Sequence, residues 1–220
     1  MSSSNLANQL RENLKERALT KWGFVIYRCT YDSDEEWARL MQNLNARARE
    51  HLETYDGSDL LESLEFTIRD DKSVFDGVSI ETCCDHFEAW VGSSEGRNSE
   101  QPDALLIPTG FDGQPRYTFF LHVDGDASDS VVRRAPQPPA DDPEAVGYVN
   151  IVNAQWAPIL TGEKEIDLDG NVIDYDELEE AQDWQRVGVW GLIPGVYMAL
   201  LGGHLWWTEF GKPPHVWVES

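Results

Sequence analysis

The chain has few basic residues. Lys and Arg together number 17, against 40 Asp and Glu in 220 residues, so the formal net charge is -23. A protein that binds nucleic acid through its overall field has the opposite balance, because Lys and Arg must replace the counterions around the phosphates. The composition therefore excludes nucleic-acid binding over the whole surface and is compatible only with a local basic area.

Long apolar segments are also absent. No run approaches the ~18 apolar residues that a membrane-spanning helix needs, and the polar first residues are not followed by the apolar region of a secretory signal. We therefore expect a cytoplasmic protein with no membrane partner. Hydrophobic residues still make up 41% of the chain, including nine Trp. That content supports a packed core and excludes wholesale disorder.

Cysteine is scarce, and its spacing is typical of neither a disulfide framework nor a zinc site. Cys29 stands alone, and Cys83 is followed directly by Cys84. The apolar surroundings of Cys29 predict a small buried hydrophobe. The five His are dispersed, and the sequence contains no P-loop, dinucleotide fingerprint or G-x-S-x-G motif. We expect neither a cofactor nor a bound metal.

Hydrophobic periodicity predicts an α+β fold. Apolar or alternating segments predict strands, and apolar residues three and four apart predict helices between them. The predicted strands are 22–31, 64–69, 116–124 and 147–156, and the predicted helices are 4–20, 32–53 and one that begins at Ser79. Residues 92–115 are predicted as a loop, and the Pro-rich residues 135–145 as an extended connector.

This order of elements predicts a two-layer α+β sandwich with a mixed or antiparallel sheet and helices on one face. The preferred core is ferredoxin-like. An N-terminal helix occupies 1–20 and a single domain occupies 21–220, with a Trp-rich C-terminal segment that closes the core.

Two features combine residues with chemical potential. His122 and Asp124 lie two apart on a predicted strand and share a face, which favours either an oriented base or a structural hydrogen bond. In the acidic segment 163–183, Asp176, Glu177 and Glu180 stand at i, i+1 and i+4 of a predicted helix. Such carboxylates match the fork of a guanidinium or serve as a general base. The alternatives are a solvated acidic helix start and a calcium loop that begins at Glu165.

Several segments together resemble a known family. They are Trp22-Gly-Phe-Val-Ile-Tyr-Arg28 with the acidic turn and Trp helix that follow, Tyr117-Thr-Phe-Phe-Leu-His-Val-Asp124, Gly147-Tyr-Val-Asn-Ile-Val-Asn153 and the Pro213-Pro214 tail. Over about residues 20–218 the chain is similar to the fungal arginine-containing cyclodipeptide synthases, which join arginine from arginyl-tRNA to a second amino acid as a diketopiperazine. The resemblance implies arginyl-tRNA and a second aminoacyl donor as partners.

That family carries a D-D-x-x-E motif, and this chain has imperfect copies of it. Asp176-Glu-Leu-Glu-Glu180 keeps all three carboxylates with Glu in the second place. The resemblance therefore implies that Asp176, Glu177 and Glu180 are catalytic, either holding the guanidinium or deprotonating the attacking α-amine. In the copy at Asp141-Asp142 the Glu comes one residue early, and the copy at Asp70-Asp71 lacks it.

An enzyme that uses tRNA also needs a basic area. Residues 1–49 hold eight basic and six acidic residues, a balance of +2, so the other 171 residues carry -25. We expect a local basic platform beside an acidic pocket that accepts arginine. Solvated helix faces account for the same residues. The alternative function is a non-catalytic acidic α+β module that binds a protein or a cationic ligand.

Overall fold

The computed structural model describes residues 5–106, 111–156, 165–166, 172–173, 183–202, 205–208 and 211–218. The strands in these ranges are β1 (Val25–Arg28), β2 (Thr67–Arg69), β3 (Phe119–Val123), β4 (Tyr148–Asn153), β5 (Glu165–Ile166), β6 (Val172–Ile173), β7 (Trp184–Gly188) and β8 (Val216–Trp217). The α-helices are α1 (Leu6–Glu16), α2 (Asp34–Thr54), α3 (Lys72–Phe75), α4 (Ile80–Gly92), α5 (Pro115–Thr118), α6 (Gly125–Asp129), α7 (Tyr197–Ala199) and α8 (Leu205–Thr208). Short 3₁₀ or π turns cover Ser58–Glu62, Glu95–Ser99, Pro102–Leu106, Ser130–Arg134 and Leu192–Val196.

The main sheet has six strands in the order β2-β1-β3-β4-β7-β8. β1 pairs in parallel with both β2 and β3, whereas β4 pairs antiparallel with β3 and β7. β8 is parallel to β7. Parallel neighbours need crossover connections, and helices supply them: α2 leads from β1 to β2, and α4 lies between β2 and β3.

The two crossovers run in opposite directions along the sheet, so right-handed connections place α2 and α4 on opposite faces. The side chains of β1 agree with this placement. Ile26 packs in the core cluster that contains Leu40 of α2, and Tyr27 packs in the cluster that contains Phe87 of α4. Alternate residues of one strand therefore enter two separate cores, one on each side of the sheet.

The predicted single α+β domain with a mixed sheet is confirmed. Its finer details differ from the expectation, because helices cover both faces of the sheet instead of one. The core is also not ferredoxin-like. A ferredoxin-like unit joins its second and third strands directly, whereas α4 separates β2 from β3 here. Every residue of β1, β3 and β4 is buried, as expected for strands covered on both sides.

The helices begin at residues that cap them. Ser33 caps α2 and Ser79 caps α4, each by accepting an N–H from the third residue on. At α1 the cap is Asn5, whose Oδ1 lies 2.8 Å from the Ala7 nitrogen. The helix predicted at 4–20 therefore spans Leu6–Glu16, and its buried side chains join the core on the α2 face: Ala7, Leu10 and Leu14.

The C-terminal segment covers the same face, with Trp206 and Trp217 buried in that core. The segment predicted as a loop at 92–115 contains the two short helical turns at Glu95–Ser99 and Pro102–Leu106, together with the start of α5. Residues 135–145 form neither helix nor strand. Among the described residues, no helix has both the length and the apolar character that a bilayer crossing requires.

Candidate functional site

The carboxyl ends of the parallel strands meet at one edge of the sheet. The chain leaves β1 toward β2 and leaves β3 toward β4, so its path diverges between two neighbouring strands. Ligands of α/β sheets bind outside such a divergence. A cavity of about 120 Å³ lies there, and we call it the strand-edge pocket. Its lining residues are Thr30, Asp32, Ser33, Glu36, Trp37, Gly125, Ser128, Asp129 and Arg133.

Two helix starts form the walls of the strand-edge pocket. α2 begins after Ser33, and α6 begins after Asp124, whose Oδ1 accepts the Ala127 N–H at 2.8 Å. Helix N-termini favour negative charge. At α2 that charge comes from the carboxylates of the first turn, Asp34, Glu35 and Glu36. These carboxylates already offset the positive end of α2.

Carboxylates also outnumber bases in the lining. Asp32, Glu36 and Asp129 face the single base Arg133, a balance of -2 among the lining residues. Glu36 Oε1 accepts from Arg133 Nη2 at 2.5 Å and from Nε at 3.1 Å, while Asp129 Oδ1 lies 3.5 Å from Nη1. Since the Arg133 side chain is 61% exposed, this ion pair contributes little to stability. Glu36 Oε1 also lies 3.6 Å from Arg39 Nη2, and Asp129 Oδ2 lies 3.1 Å from Arg134 Nε, so both carboxylates contact guanidinium groups of the chain.

Arg28 holds the surroundings of the pocket in place. It is 5% exposed at the end of β1, and its Nη2 donates to Asp34 Oδ1 at 2.5 Å while Nη1 donates to Asp70 Oδ2 at 3.3 Å. Its guanidinium carbon lies 4.4 Å from the ring centroid of Tyr31, a cation–π contact. These contacts join the end of β1, the start of α2 and the residue after β2.

The residues predicted as catalytic, Asp176, Glu177 and Glu180, lie outside the described residues. From the same acidic segment the structure describes β5 and β6, which pair antiparallel with Glu165 opposite Ile173. Glu165 is the first position of the alternative calcium loop, and the other acidic positions of that loop also lie outside the described residues.

The two other partial copies of the motif have structural roles. Asp142 is 1% exposed, and its two oxygens accept the N–H groups of Val146 at 3.1 Å and Gly147 at 2.9 Å. Asp71 accepts the N–H of Ser73 at 2.9 Å and caps α3. Asp70 pairs with Arg28, as described above. These carboxylates hold turns and strand ends, which accounts for their presence without a ligand.

The structural role of Asp142 leads to a stability prediction. Asp142→Ala removes both acceptors and leaves two N–H groups, one of them fully buried, without partners, so we expect the free energy of unfolding to fall by about 2 to 3 kcal/mol. The neighbouring exposed Asp141 provides the matched control, and Asp141→Ala is expected to change it by less than about 0.5 kcal/mol. Urea denaturation of the three proteins measures both values. Equal effects of the two substitutions would contradict the role assigned to Asp142.

His122 and Asp124 do not pair with each other. His122 Nε2 lies 3.2 Å from the carbonyl oxygen of Val78, and Asp124 Oδ2 accepts from Asn150 Nδ2 at 3.0 Å. The other Asp124 oxygen caps α6. Of the two expectations for this pair, the structure therefore has structural hydrogen bonds and not an oriented base.

The basic residues of positions 1–49 are mostly engaged within the protein. Arg28 and Arg47 are buried, and Arg11, Lys21 and Arg39 each have a carboxylate oxygen within 4 Å. Ion pairing neutralises the field that these side chains would present to phosphates. The predicted basic platform is therefore largely used in internal contacts.

A second cavity, of about 370 Å³, lies at the opposite end of α2. It is mostly apolar, and its lining residues are Leu6, His51, Tyr55, Pro143, Trp190, Gly191, Gly195 and Val218. His51 meets Trp190 edge to face, with ring centroids 5.0 Å apart. Because α2 rises ~1.5 Å per residue, this cavity lies more than about 20 Å from the strand-edge pocket and cannot share one small ligand with it.

Burial lowers the pKa of His51 and of His86, whose Nδ1 lies 2.8 Å from the Tyr27 hydroxyl. The unfolded chain then binds protons more readily than the folded one. The neutral, buried imidazoles therefore contribute fully to stability above the ordinary His pKa of ~6.5. This contribution is lost as the pH falls through the lowered pKa of the folded state. We expect the stability difference between the wild type and His86→Gln to be larger at about pH 7.5 than at about pH 5.5. Urea denaturation at both pH values measures it, and a difference independent of pH would refute this assignment.

The acids of the strand-edge pocket were not among the predicted site residues. The available signal was the acidic turn Asp32-Ser-Asp-Glu-Glu36 at a strand-to-helix junction, which alone indicates only a helix start. Asp129 and Arg133 had no local signal, because they reach the pocket only through the pairing of β3 with β1. Comparison of the chain with protein-family models, with curated proteins and with solved structures found no match.

Proposed function

We propose that the strand-edge pocket binds the guanidinium of an arginine residue, and that the protein joins this arginine, delivered as arginyl-tRNA, to a second aminoacyl group as a cyclic dipeptide. One observation carries the proposal: Glu36 and Asp129 hold the guanidinium of Arg133 at the carboxyl edge of the parallel strands. The resemblance to the arginine-containing cyclodipeptide synthases supports the choice of reaction.

The reaction asks three things of the protein. The α-amine of one aminoacyl ester attacks the carbonyl carbon of the other, an amide bond forms, and the ester bond to tRNA breaks. A second attack of the same kind closes the ring and releases the second tRNA. The protein must bind the arginine side chain, hold amine and ester in contact, and accept a proton from the amine.

The chain offers candidates for two of these tasks. The strand-edge pocket would bind the side chain, and Asp176, Glu177 and Glu180 are the proposed acceptors of the proton. The ester is already activated, so the step needs no ATP. The substrates are aminoacyl-tRNAs, and the proposed location is therefore the cytoplasm.

A bacterial expression experiment tests the reaction. Extracts are searched by mass spectrometry for cyclic dipeptides that contain arginine, with the wild type, Glu36→Gln/Asp129→Asn, Asp176→Asn/Glu180→Gln and the control Glu53→Gln, an exposed acid on α2. We expect product from the wild type and the control, and at least about a tenfold loss in both double variants, since one charge-assisted hydrogen bond is worth that factor. Circular dichroism checks that each protein is folded.

The outcomes separate the site from the reaction. If only the Asp176/Glu180 variant loses the product, the proposed reaction stands and the pocket is refuted as the arginine site. If only the Glu36/Asp129 variant loses the product, the pocket stands as the arginine site and the proposed general base is refuted. Absence of product from folded wild-type protein supplied with purified arginyl-tRNA and a second aminoacyl-tRNA would refute the reaction.

The second candidate is a non-catalytic module that binds a cationic ligand, and the internal pairing of the basic residues favours it. Calorimetric titration with arginine and with citrulline, its uncharged isostere, tests binding without chemistry. Arginine binding that is lost in Glu36→Gln/Asp129→Asn, in a protein that makes no cyclic dipeptide, would select the module over the enzyme. Equal responses to arginine and citrulline would refute guanidinium recognition in both candidates.

A further inference from the structure

Two cysteines that are far apart in sequence meet beside the same edge of the sheet. Cys29 follows β1 and Cys83 lies on α4, and their Sγ atoms are 3.8 Å apart. His122 of β3 completes a group in which one ligand atom from each residue lies within 4.8 Å of the others. The exposed fractions of Cys29, Cys83 and His122 are 4%, 0% and 5%, so all three are buried.

One ring nitrogen of His122, Nδ1, has no hydrogen-bond donor among the described residues. A carbonyl oxygen only accepts hydrogen bonds, so the Nε2 that lies 3.2 Å from the Val78 oxygen carries the proton. Nδ1 is then an acceptor, and it is buried with no hydrogen-bond partner among the described residues. Buried polar atoms are nearly always paired, so an unpaired acceptor on a residue of this group requires an explanation. A ring N–H donated to a backbone carbonyl is also the usual second contact of a metal-ligating His.

The distance between the sulfur atoms matches a shared metal ion. Zinc–thiolate bonds of ~2.3 Å in tetrahedral geometry place two sulfur atoms ~3.8 Å apart, and the observed separation is 3.8 Å. Two thiolates and a divalent cation have no net charge, which reduces the cost of burying them. Sulfur and imidazole ligands select zinc and similar thiophilic ions over magnesium or calcium.

We propose that Cys29, Cys83 and His122 bind one thiophilic divalent cation of the zinc type. Two metal–sulfur bonds form as the two thiol protons leave to solvent, and the imidazole adds a third ligand without losing its proton on Nε2. Three protein ligands leave the fourth position to water or another small ligand. The ion joins β1, β3 and α4, and its binding does not depend on the function proposed above.

Titration of the reduced, metal-free protein with Co²⁺ tests this site. We expect the thiolate-to-cobalt absorption and the visible bands of tetrahedral cobalt to saturate at one ion per chain, and Zn²⁺ to abolish them. Cys84 follows Cys83 on the same helix but is not part of the group, so Cys84→Ser is the matched control and keeps the spectrum. Cys83→Ser and His122→Gln lose it.

A second measurement needs no variant. One equivalent of Zn²⁺ raises the melting temperature of the wild-type protein, and a chelator reverses the shift. Either an absent cobalt–thiolate spectrum in the reduced, folded wild type or an unchanged spectrum in Cys83→Ser would overturn the proposal. A melting temperature that does not respond to Zn²⁺ would do the same.

Discussion

Glu100→Gln will lower the free energy of unfolding by about 3 kcal/mol, the cost of removing one partner from a buried ion pair. Glu100 is 9% exposed, and its two oxygens accept from Arg116 Nη2 at 2.7 Å and Nε at 3.1 Å. Arg116 is 1% exposed. The substitution leaves a buried guanidinium without its main counter-charge, and urea denaturation of both proteins measures the loss.

Three further variants test this explanation. Asp59→Asn removes the partner of Arg11 in an exposed pair and is expected to cost at most about 1 kcal/mol. In the double variant Glu100→Gln/Arg116→Met neither charge is present, so we expect a smaller loss than the losses of Glu100→Gln and of a single Arg116→Met variant added together. Additive losses would contradict a direct interaction between Glu100 and Arg116.

Trp22→Ala will lower the free energy of unfolding by about 3 to 5 kcal/mol, as expected for the loss of a large buried aromatic side chain. Trp22 is fully buried, its Nε1 donates to the Leu60 oxygen at 3.1 Å, and its ring meets Tyr197 edge to face at 5.1 Å. The alanine variant leaves a cavity between the sheet and the C-terminal segment. Chemical denaturation monitored by far-ultraviolet circular dichroism measures the change without depending on Trp fluorescence.

Trp22→Phe separates the cavity from the hydrogen bond. Phenylalanine fills most of the space but leaves the Leu60 oxygen without its donor, so we expect a loss of about 1 to 2 kcal/mol. A loss as large as that of Trp22→Ala would indicate that the hydrogen bond, and not the packed ring, supplies the stability.

Local patterns were sufficient for α1, α2, α4 and the strands β1 to β4, but they did not predict β7 and β8, which lie in the Trp-rich C-terminal segment. The apolar segment at 22–31 contains β1, Ser33 and Ser79 start α2 and α4, and the pattern of Leu6, Leu10 and Leu14 identifies α1. These signals depend on neighbours within about one helical turn or two strand positions. Local patterns do not predict the ion pair of Arg116 with Glu100, because Glu100 lies in a segment that is rich in turn-forming residues.

The candidate site was less accessible to sequence reasoning. The acidic turn at 32–36 is visible in the sequence, but it indicates a helix start equally well. Only the neighbouring positions of β1 and β3 bring Asp129 to Glu36, and only the crossover through α4 brings Cys83 to Cys29 across 54 positions. The spacing of the cysteines predicted no metal site, because sequence spacing reports ligands that share a loop or hairpin and not ligands on separate elements.

The sequence by itself determined the class of the fold, the positions of its main helices and strands, and the strongly acidic surface, because hydrophobic period, caps and charge are local properties. The tertiary structure decided the parallel pairing around β1, the placement of α2 and α4 on opposite faces, and the residues that meet at the carboxyl edge of the sheet. The physical reason is that a connecting helix of this length can join two strands in either parallel or antiparallel orientation. Packing on both faces of the buried strands selects the parallel orientation, and that packing involves residues far apart along the chain.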